Sequence, residues 1–459
     1  MDHSLIDSNV LKTKKRNTPE IALFKKQTKV EQQVQLQDHP LRSTLYNELH
    51  SRPFPILKTP SQITQLVLHR ADHTKAQDVE HLTKLSEHFG VNPPHPHGST
   101  YYQDFGGFEL RWEGHTEFST YSFFYTGKVW PPFSQQAIAM VPSQWLQDIP
   151  GHIISSTHIS LTSYLKEKLN KRDVKSFFEG QRLIGQEHTN EKCTVWTSFR
   201  THSDGHGRFL IINHGLNPCE SGRMVQRILE LESYRMMALL SFPNTKDLVP
   251  KLAQMDLDLA AIIDKIRNIT DLADEKNLLH LITKMAAQIE HYRSTSQFRF
   301  GATRAYASIV NRILSEFQEK EISGIQTIKE FLLRRFDPAI KTCESVQERI
   351  EDLSRRIDRA GDLLRTQISI TLESQNQKLL ISMNKKTKQQ LLLQQTVEGL
   401  STLAICYYVL GLLKIVFEPM IELWWPFKTQ LLWAFLVPLL LLAIWALLHR
   451  IKLKIMGTQ

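Results

Sequence analysis

The C-terminal end restricts this chain more than any other stretch. Residues 431–448, LLWAFLVPLLLLAIWALL, carry no charged side chain and are long enough to cross a bilayer with little tilt. Residues 397–417, VEGLSTLAICYYVLGLLKIVF, are apolar apart from Glu398 and Lys414 near the ends, where both reach the interface, Lys414 by snorkelling. Between them, FEPMIELWWPFKTQ holds Pro419 and Pro426, which are expected to break the helix, and Trp424 and Trp425, which suit a headgroup layer. The expectation is a two-helix transmembrane hairpin: spans at 397–417 and 431–449, an outer loop at 418–430 and a basic tail at 450–459.

The flanking charges orient it. KKTK (385–388) precedes the first span and HRIKLK (449–454) follows the second, whereas the loop carries Glu418, Glu422 and a single lysine. Positive charge stays inside, so both termini are expected in the cytoplasm of a multi-pass inner (cell) membrane protein. The N-terminal segment MDHSLIDSNVLKTKKRNTPEIALFKKQTK lacks the apolar run of a signal peptide. Residues 1–38 read as a mobile polar tail. The net charge of +9 allows contact with anionic lipid or nucleic acid; the hairpin makes the bilayer the expected partner and nucleic acid not one. Cys193, Cys219, Cys343 and Cys406 are scattered with no CxxC pair, which excludes a zinc ribbon or a dense disulfide scaffold and suits a reducing compartment.

Upstream of the hairpin, residues 343–396 read as one long stalk helix. Val346, Ile350, Leu353, Ile357, Ala360, Leu364, Ile368, Leu372, Leu379 and Met383 follow the three-and-four spacing of a coiled-coil seam. Continued into the membrane, about 75 residues would span on the order of 110 Å. Such a seam needs cover from earlier helices or from copies of the chain, so a homo-oligomer is expected. Residues 219–342 also carry helical spacing, in RMVQRILELESYRMMALL, from Leu248 to Tyr292, and in FGATRAYASIVNRILSEFQ and IQTIKEFLLRRF, with PNT (243–245) and Pro338 as breaks.

Residues 39–218 differ. ITQLVLH, GGFELRWEGHTEFSTYSFF, CTVWTSFR and GRFLIINHG are rich in β-branched and aromatic residues and read as strands, while 74–89 and 134–148 read as helical. The fold class expected is therefore an α+β cytoplasmic domain, then long helices forming a stalk, then the hairpin.

Two constellations in this domain bear chemistry. On a period-two strand Glu109, Arg111, Glu113, His115 and Glu117 share one face, a solvated ion-paired surface or, through Glu113, His115 and Glu117, a metal or acid–base site. HPLRSTLYNELHSRPFP (39–55) gathers His39, Arg42, Asn47, Glu48, His50 and Arg52 between prolines, as a ligand cluster or as side chains that satisfy irregular backbone. HExxH, P-loop, GxSxG and dinucleotide-binding glycine patterns are all absent, and no cofactor is implied. In the membrane segment Gln394, Glu398, Ser401 and Tyr408 lie near one helical face, as pore-lining groups or as headgroup and helix-packing residues.

HPLRSTLYNELHSRPFP, RWEGHTEFSTYSF, GRMVQRILELESYRMMALL, FLLRRFDPAIKTC and QQTVEGLSTLAICYYVLGL together resemble a bacterial membrane-anchored family of unknown function with the signature HPLR…NELHxRPF. That resemblance runs from residue 39 to the end and implies an inner-membrane protein with a cytoplasmic region. The layout of α/β domain, stalk, two terminal spans and acidic outer loop is in turn similar to CorA-type magnesium channels. FEPMIELWW is similar to that superfamily's outer loop, but Lys414, Ile415 and Val416 stand where its Gly-Met-Asn filter belongs. Three functions follow as expectations. The first is an oligomeric, non-enzymatic scaffold whose cytoplasmic domain binds a protein partner. The others are a CorA-like channel or transporter with an altered filter, and a membrane-anchored metal-dependent enzyme.

Overall fold

The computed structural model describes residues 37–42, 45–46, 54–71, 73–163, 171–188, 191–268, 272–424, 434–439, 441–446 and 450. Asn47, Glu48, His50 and Arg52 of the opening motif lie outside the described residues, as do 1–36 of the N-terminal tail and 425–430 of the expected outer loop. The chain divides into two compact units, the first made of 1–250 and 293–349, the second of 251–292 and 350–459.

The first unit is built on a nine-stranded mixed sheet in the order β2-β3-β4-β1-β5-β8-β7-β6-β9. The strands are β1 (Ser61–His69), β2 (Thr100–Asp104), β3 (Glu109–Gly114), β4 (Phe118–Thr126), β5 (His152–Ser163), β6 (Ile184–His188), β7 (Cys193–Thr197), β8 (Gly207–Asn213) and β9 (Glu319–Glu321). All neighbours run antiparallel except β5 and β8, which are parallel. The central strands β1 and β5 pair Thr64 with His158 and Gln62 with Ser160.

Alternation along β1 sends Ile63, Gln65 and Val67 to one face and Gln62, Thr64, Leu66 and Leu68 to the other. On the first face Ile63, Phe124, Ile159, Leu161, Phe209 and Ile211 pack with Met224, Val225 and Ile228 of helix α4 (Pro218–Leu239). Helix α4 starts where its sequence says it should. The Asn217 side chain accepts from the Glu220 backbone N–H and Glu220 accepts from that of Asn217, both at 2.9 Å, with Pro218 in the first turn. On the second face the apolar core falls into two groups. One joins Leu66, Leu68, Leu110, Trp112, Tyr121 and Phe123 to helix α1 (Lys75–Phe89), which Gly90 ends in a left-handed conformation (φ 67°). The other joins Leu210, Ile212 and Trp196 to Val174 of α3 (Lys171–Phe177) and to Phe178. A short helix α2 (Ser143–Gln147) adds Trp145 to the first group.

Three longer helices follow: α5 (Phe242–Asn268), α6 (Leu272–Glu316) and α7 (Ile328–Trp424). In the second unit, α5 contributes Leu252, Met255, Leu259 and Ile262, α6 contributes Leu278, Ile282, Met285 and Ile289, and α7 contributes Leu353, Ile357, Ala360 and Leu364, all buried. Asp256 of α5 accepts from Arg356 of α7 at 2.6 Å, and Glu275 of α6 accepts from Thr371 of α7 at 3.0 Å. Earlier helices of the same chain therefore cover the first part of the stalk seam. Past Thr371 the cover stops: Leu379, Leu380, Ile381 and Met383 are exposed.

Three expectations need correction. The strand expected through Glu117 ends at Gly114, and His115 to Glu117 form the turn into β4. Pro338 does not close a helix, and Pro419 does not end the first span: α7 runs through both, so Glu418 sits on the helix and not in a loop. A proline removes one ladder bond at a cost of about 3 kcal/mol, which a helix this long absorbs. Finally, no two-helix hairpin is seen among the described residues: one helix is long and apolar enough to cross a membrane, and the second expected span appears only as a shorter apolar helix, Ala434–Ala446.

Candidate functional site

The residues singled out in the sequence separate in space. Glu113 is buried with Arg111 and ion-pairs to it at 2.6 Å, while the other end of the Arg111 guanidinium donates to Gln226 of α4 at 3.0 Å. The charged face of β3 is therefore partly covered by α4 rather than fully solvated. Nearby, burial pushes the Glu230 carboxyl above its ordinary range, with the Glu113 charge adding to the effect and a hydrogen bond from Gln226 opposing it. Glu117 accepts from Arg299 at 2.7 Å and from Tyr306 at 2.8 Å, so its carboxylate ties the β3–β4 turn to α6. The His115 ring stacks on Phe118 at 4.2 Å, and its carbonyl accepts from Arg70 at 2.7 Å. Glu113, His115 and Glu117 are thus engaged with three different sets of neighbours, and no group of three or more metal-ligating side chains is found among the described residues.

The opening motif is described only at its two ends. His39 Nδ1 accepts from the Leu41 N–H at 3.2 Å, and Arg42 ion-pairs with Asp38. At the far end the chain crosses α4: Leu57 donates its N–H to the Pro218 carbonyl at 3.0 Å, and the Arg223 guanidinium lies over the Phe54 ring at 5.5 Å. A Cβ added to Gly222 would lie 1.6 Å from the Pro55 carbonyl oxygen, so only glycine allows this crossing. Phe54 and Pro55, the described end of the motif, therefore pack against α4.

The candidate pore residues lie on α7. Gln394 donates to Glu398 at 3.3 Å, so these two satisfy each other along the helix, and Tyr408 is exposed. Lys414 lies 3.9 Å from Glu418 in an i,i+4 pair, which partly neutralises both charges at the end of the apolar stretch. Within that stretch Leu400, Tyr407 and Ile415 are each more than 70% exposed, and 6% of its most apolar 18-residue window is buried.

The second face of the sheet holds a cluster absent from the sequence expectations. Between its two apolar groups, β1 and β5 place Gln62, Thr64, Ser156, His158 and Ser160 side by side. Gln62 Nε2 donates to Ser160 at 2.9 Å, but its buried Oε1 has no partner among the described residues. Thr64 Oγ1 is 2.9 Å from His158 Nδ1. The His158 ring stacks on His206 at 3.9 Å, and His206 Nδ1 is hydrogen-bonded to Ser156. Burial drives His158 down to about 3, with His206 adding and Asp204 opposing, and burial also lowers His206. Both rings are neutral at neutral pH. The signal for this site lay in HIISSTHISLTS, whose Ser156, His158, Ser160 and Thr162 alternate with Ile159 and Leu161 as a strand buried on both faces would. Its polar half reads as a loop unless the period of two is counted.

An α+β unit on a mixed sheet, followed by a long helix ending in an exposed apolar stretch, defines the class of protein. The chain belongs to a family described as proteins of unknown function (DUF3422), whose model matches residues 37–455. No curated protein matches the chain.

Proposed function

We propose that the chain is an integral protein of the bacterial inner membrane that displays its α+β unit in the cytoplasm, as an oligomeric and non-enzymatic scaffold or interaction module. One observation carries this reading: the most apolar part of α7 is almost wholly exposed. The apolar helix of a soluble core buries such a stretch, and water would penalise it heavily; lipid would not. The basic segments at 385–388 and 449–454 support an orientation with both termini in the cytoplasm. The uncovered part of α7 beyond Thr371, with Leu379 and Met383 continuing the buried spacing, supports self-association.

Alkaline carbonate extraction of membranes tests the anchor. The full chain is expected to stay in the pellet and a chain truncated after Gln395 to move to the supernatant. Release of the full chain by carbonate would overturn the reading.

A further inference from the structure

We propose that the stacked pair His158–His206 is an acid-sensitive latch that holds the segment 198–206, between β7 and β8, against the central strand β5. Its geometry is that of a closure. His158 is rigid: it sits in the middle of β5, almost fully buried, with Nδ1 fixed to Thr64 of β1. His206 lies on the segment that leads into β8 and reaches β5 through its ring stack and through Ser156.

The backbone of His206 also holds the segment's own turn. Its N–H donates to Asp204 at 3.0 Å, and its carbonyl accepts from the His202 N–H at 2.9 Å and lies 3.2 Å from His202 Nδ1. His206 thus fastens the segment twice, its ring to β5 and its main chain to Asp204 and His202.

The charged and titratable groups around the pair are His202, Asp204, Arg208 and Glu179. Arg208 binds Asp204 at 2.7 Å and Glu179 at 3.2 Å, so both carboxylates are already committed to one guanidinium. Glu179 also accepts from the Ser203 N–H, at 3.1 Å. A proton added to either imidazole is opposed first by burial and then by Arg208, with Asp204 offsetting only part, and two protons place like charges one ring stack apart. The relief available is for His206 to swing out to water. Asp204 and Glu179 are held below the ordinary carboxylate range, so they stay ionised and keep the Arg208 contacts while the latch opens. The direction is fixed: closed at neutral pH, open as pH falls below the ordinary histidine range.

Hydrogen–deuterium exchange of the full chain in detergent tests this, with rates corrected for the intrinsic effect of pH. Protection of the amides of 198–206 is expected to fall at least tenfold from pH 7.5 to pH 4.5, while 209–212 of β8 stays protected. His206→Gln keeps a hydrogen bond to Ser156 but cannot titrate, and its segment is expected to stay closed at both pH values. Unchanged protection in the wild type would overturn the latch, as would an equal fall in His206→Gln. If that variant does not fold, carbon-13 NMR of histidine-labelled wild type decides: opening must share its midpoint with the titration of His206, and a separate midpoint overturns the proposal.

Discussion

At the scale of the residue, Gly222 shows how one missing side chain lets the opening motif reach the fold. The segment carrying Phe54, Pro55 and Leu57 passes so close to the first turns of α4 that no Cβ fits between them. The obstacle is the Pro55 carbonyl and not a flexible side-chain tip, so it cannot step aside without the backbone of that segment shifting. Gly222→Ala replaces a poor helix former with the best one, a gain of about 1 kcal/mol in a free helix. Here the sign reverses. The variant is expected to lose several kcal/mol, on the order of an overpacked core, with the lowered midpoint read by urea unfolding. A midpoint equal to or above that of the wild type would show that the crossing is not fixed. Glu117 makes a related point, because the sequence marks it as a possible metal ligand. Both its interactions instead go to α6, through Arg299 and Tyr306, and a sequence cannot show which distant helix supplies a partner.

At the scale of the element, the sheet was partly legible and the helix ends were not. β1, β3, β4, β7 and β8 announce themselves through β-branched and aromatic residues, and α1 through its capping threonine and terminal glycine. β5 was missed because Ser155, Ser156, Thr157 and His158 look like loop, although a strand at the centre of a sheet can carry them when partners such as Thr64 meet the polar groups. Pro243, Pro338 and Pro419 read as punctuation in the sequence and lie within helices. Proline's local penalty is a few kcal/mol, and tertiary packing over many turns outweighs it.

α7 also changes character along its length, which gives a prediction. Leu364 is fully buried in the second unit, so Leu364→Ala is expected to cost about 2–5 kcal/mol in any assembly state. Leu379 is exposed, and in a monomer its truncation should change stability by about 0.5 kcal/mol or less. If copies of α7 cover one another, Leu379→Ala together with Met383→Ala instead lowers the mass of the detergent-solubilised complex. A monomeric wild type would remove self-association from the reading.

At the scale of the whole molecule, the histidines of the α+β unit favour neutral pH. Burial lowers His69, His81, His158, His188, His206 and His214, so the unfolded chain binds more protons than the folded one. A depressed histidine contributes stability that is present above its unfolded value of 6.5 and is lost as pH falls toward its folded value, about 3 for His158. Glu230 and Glu319 act the other way: burial raises them, so they favour folding as pH falls through their elevated range. Among the described residues the lowered histidines outnumber these two carboxyls, the lowered Glu179, Glu191, Asp204 and Glu220 add to the loss at lower pH, and His158 has the widest window of the histidines. The thermal midpoint of the full chain, followed by the β-sheet circular dichroism signal, is expected to be flat from pH 8 to 7 and to fall steadily below 6.5. His158→Gln, which keeps a hydrogen-bonding group beside Thr64 without a titrating ring, should flatten part of that fall while lowering the neutral-pH midpoint little. A midpoint that rises between pH 6.5 and 5 would mean that the raised carboxyls dominate and that the buried histidines are not held neutral by the fold.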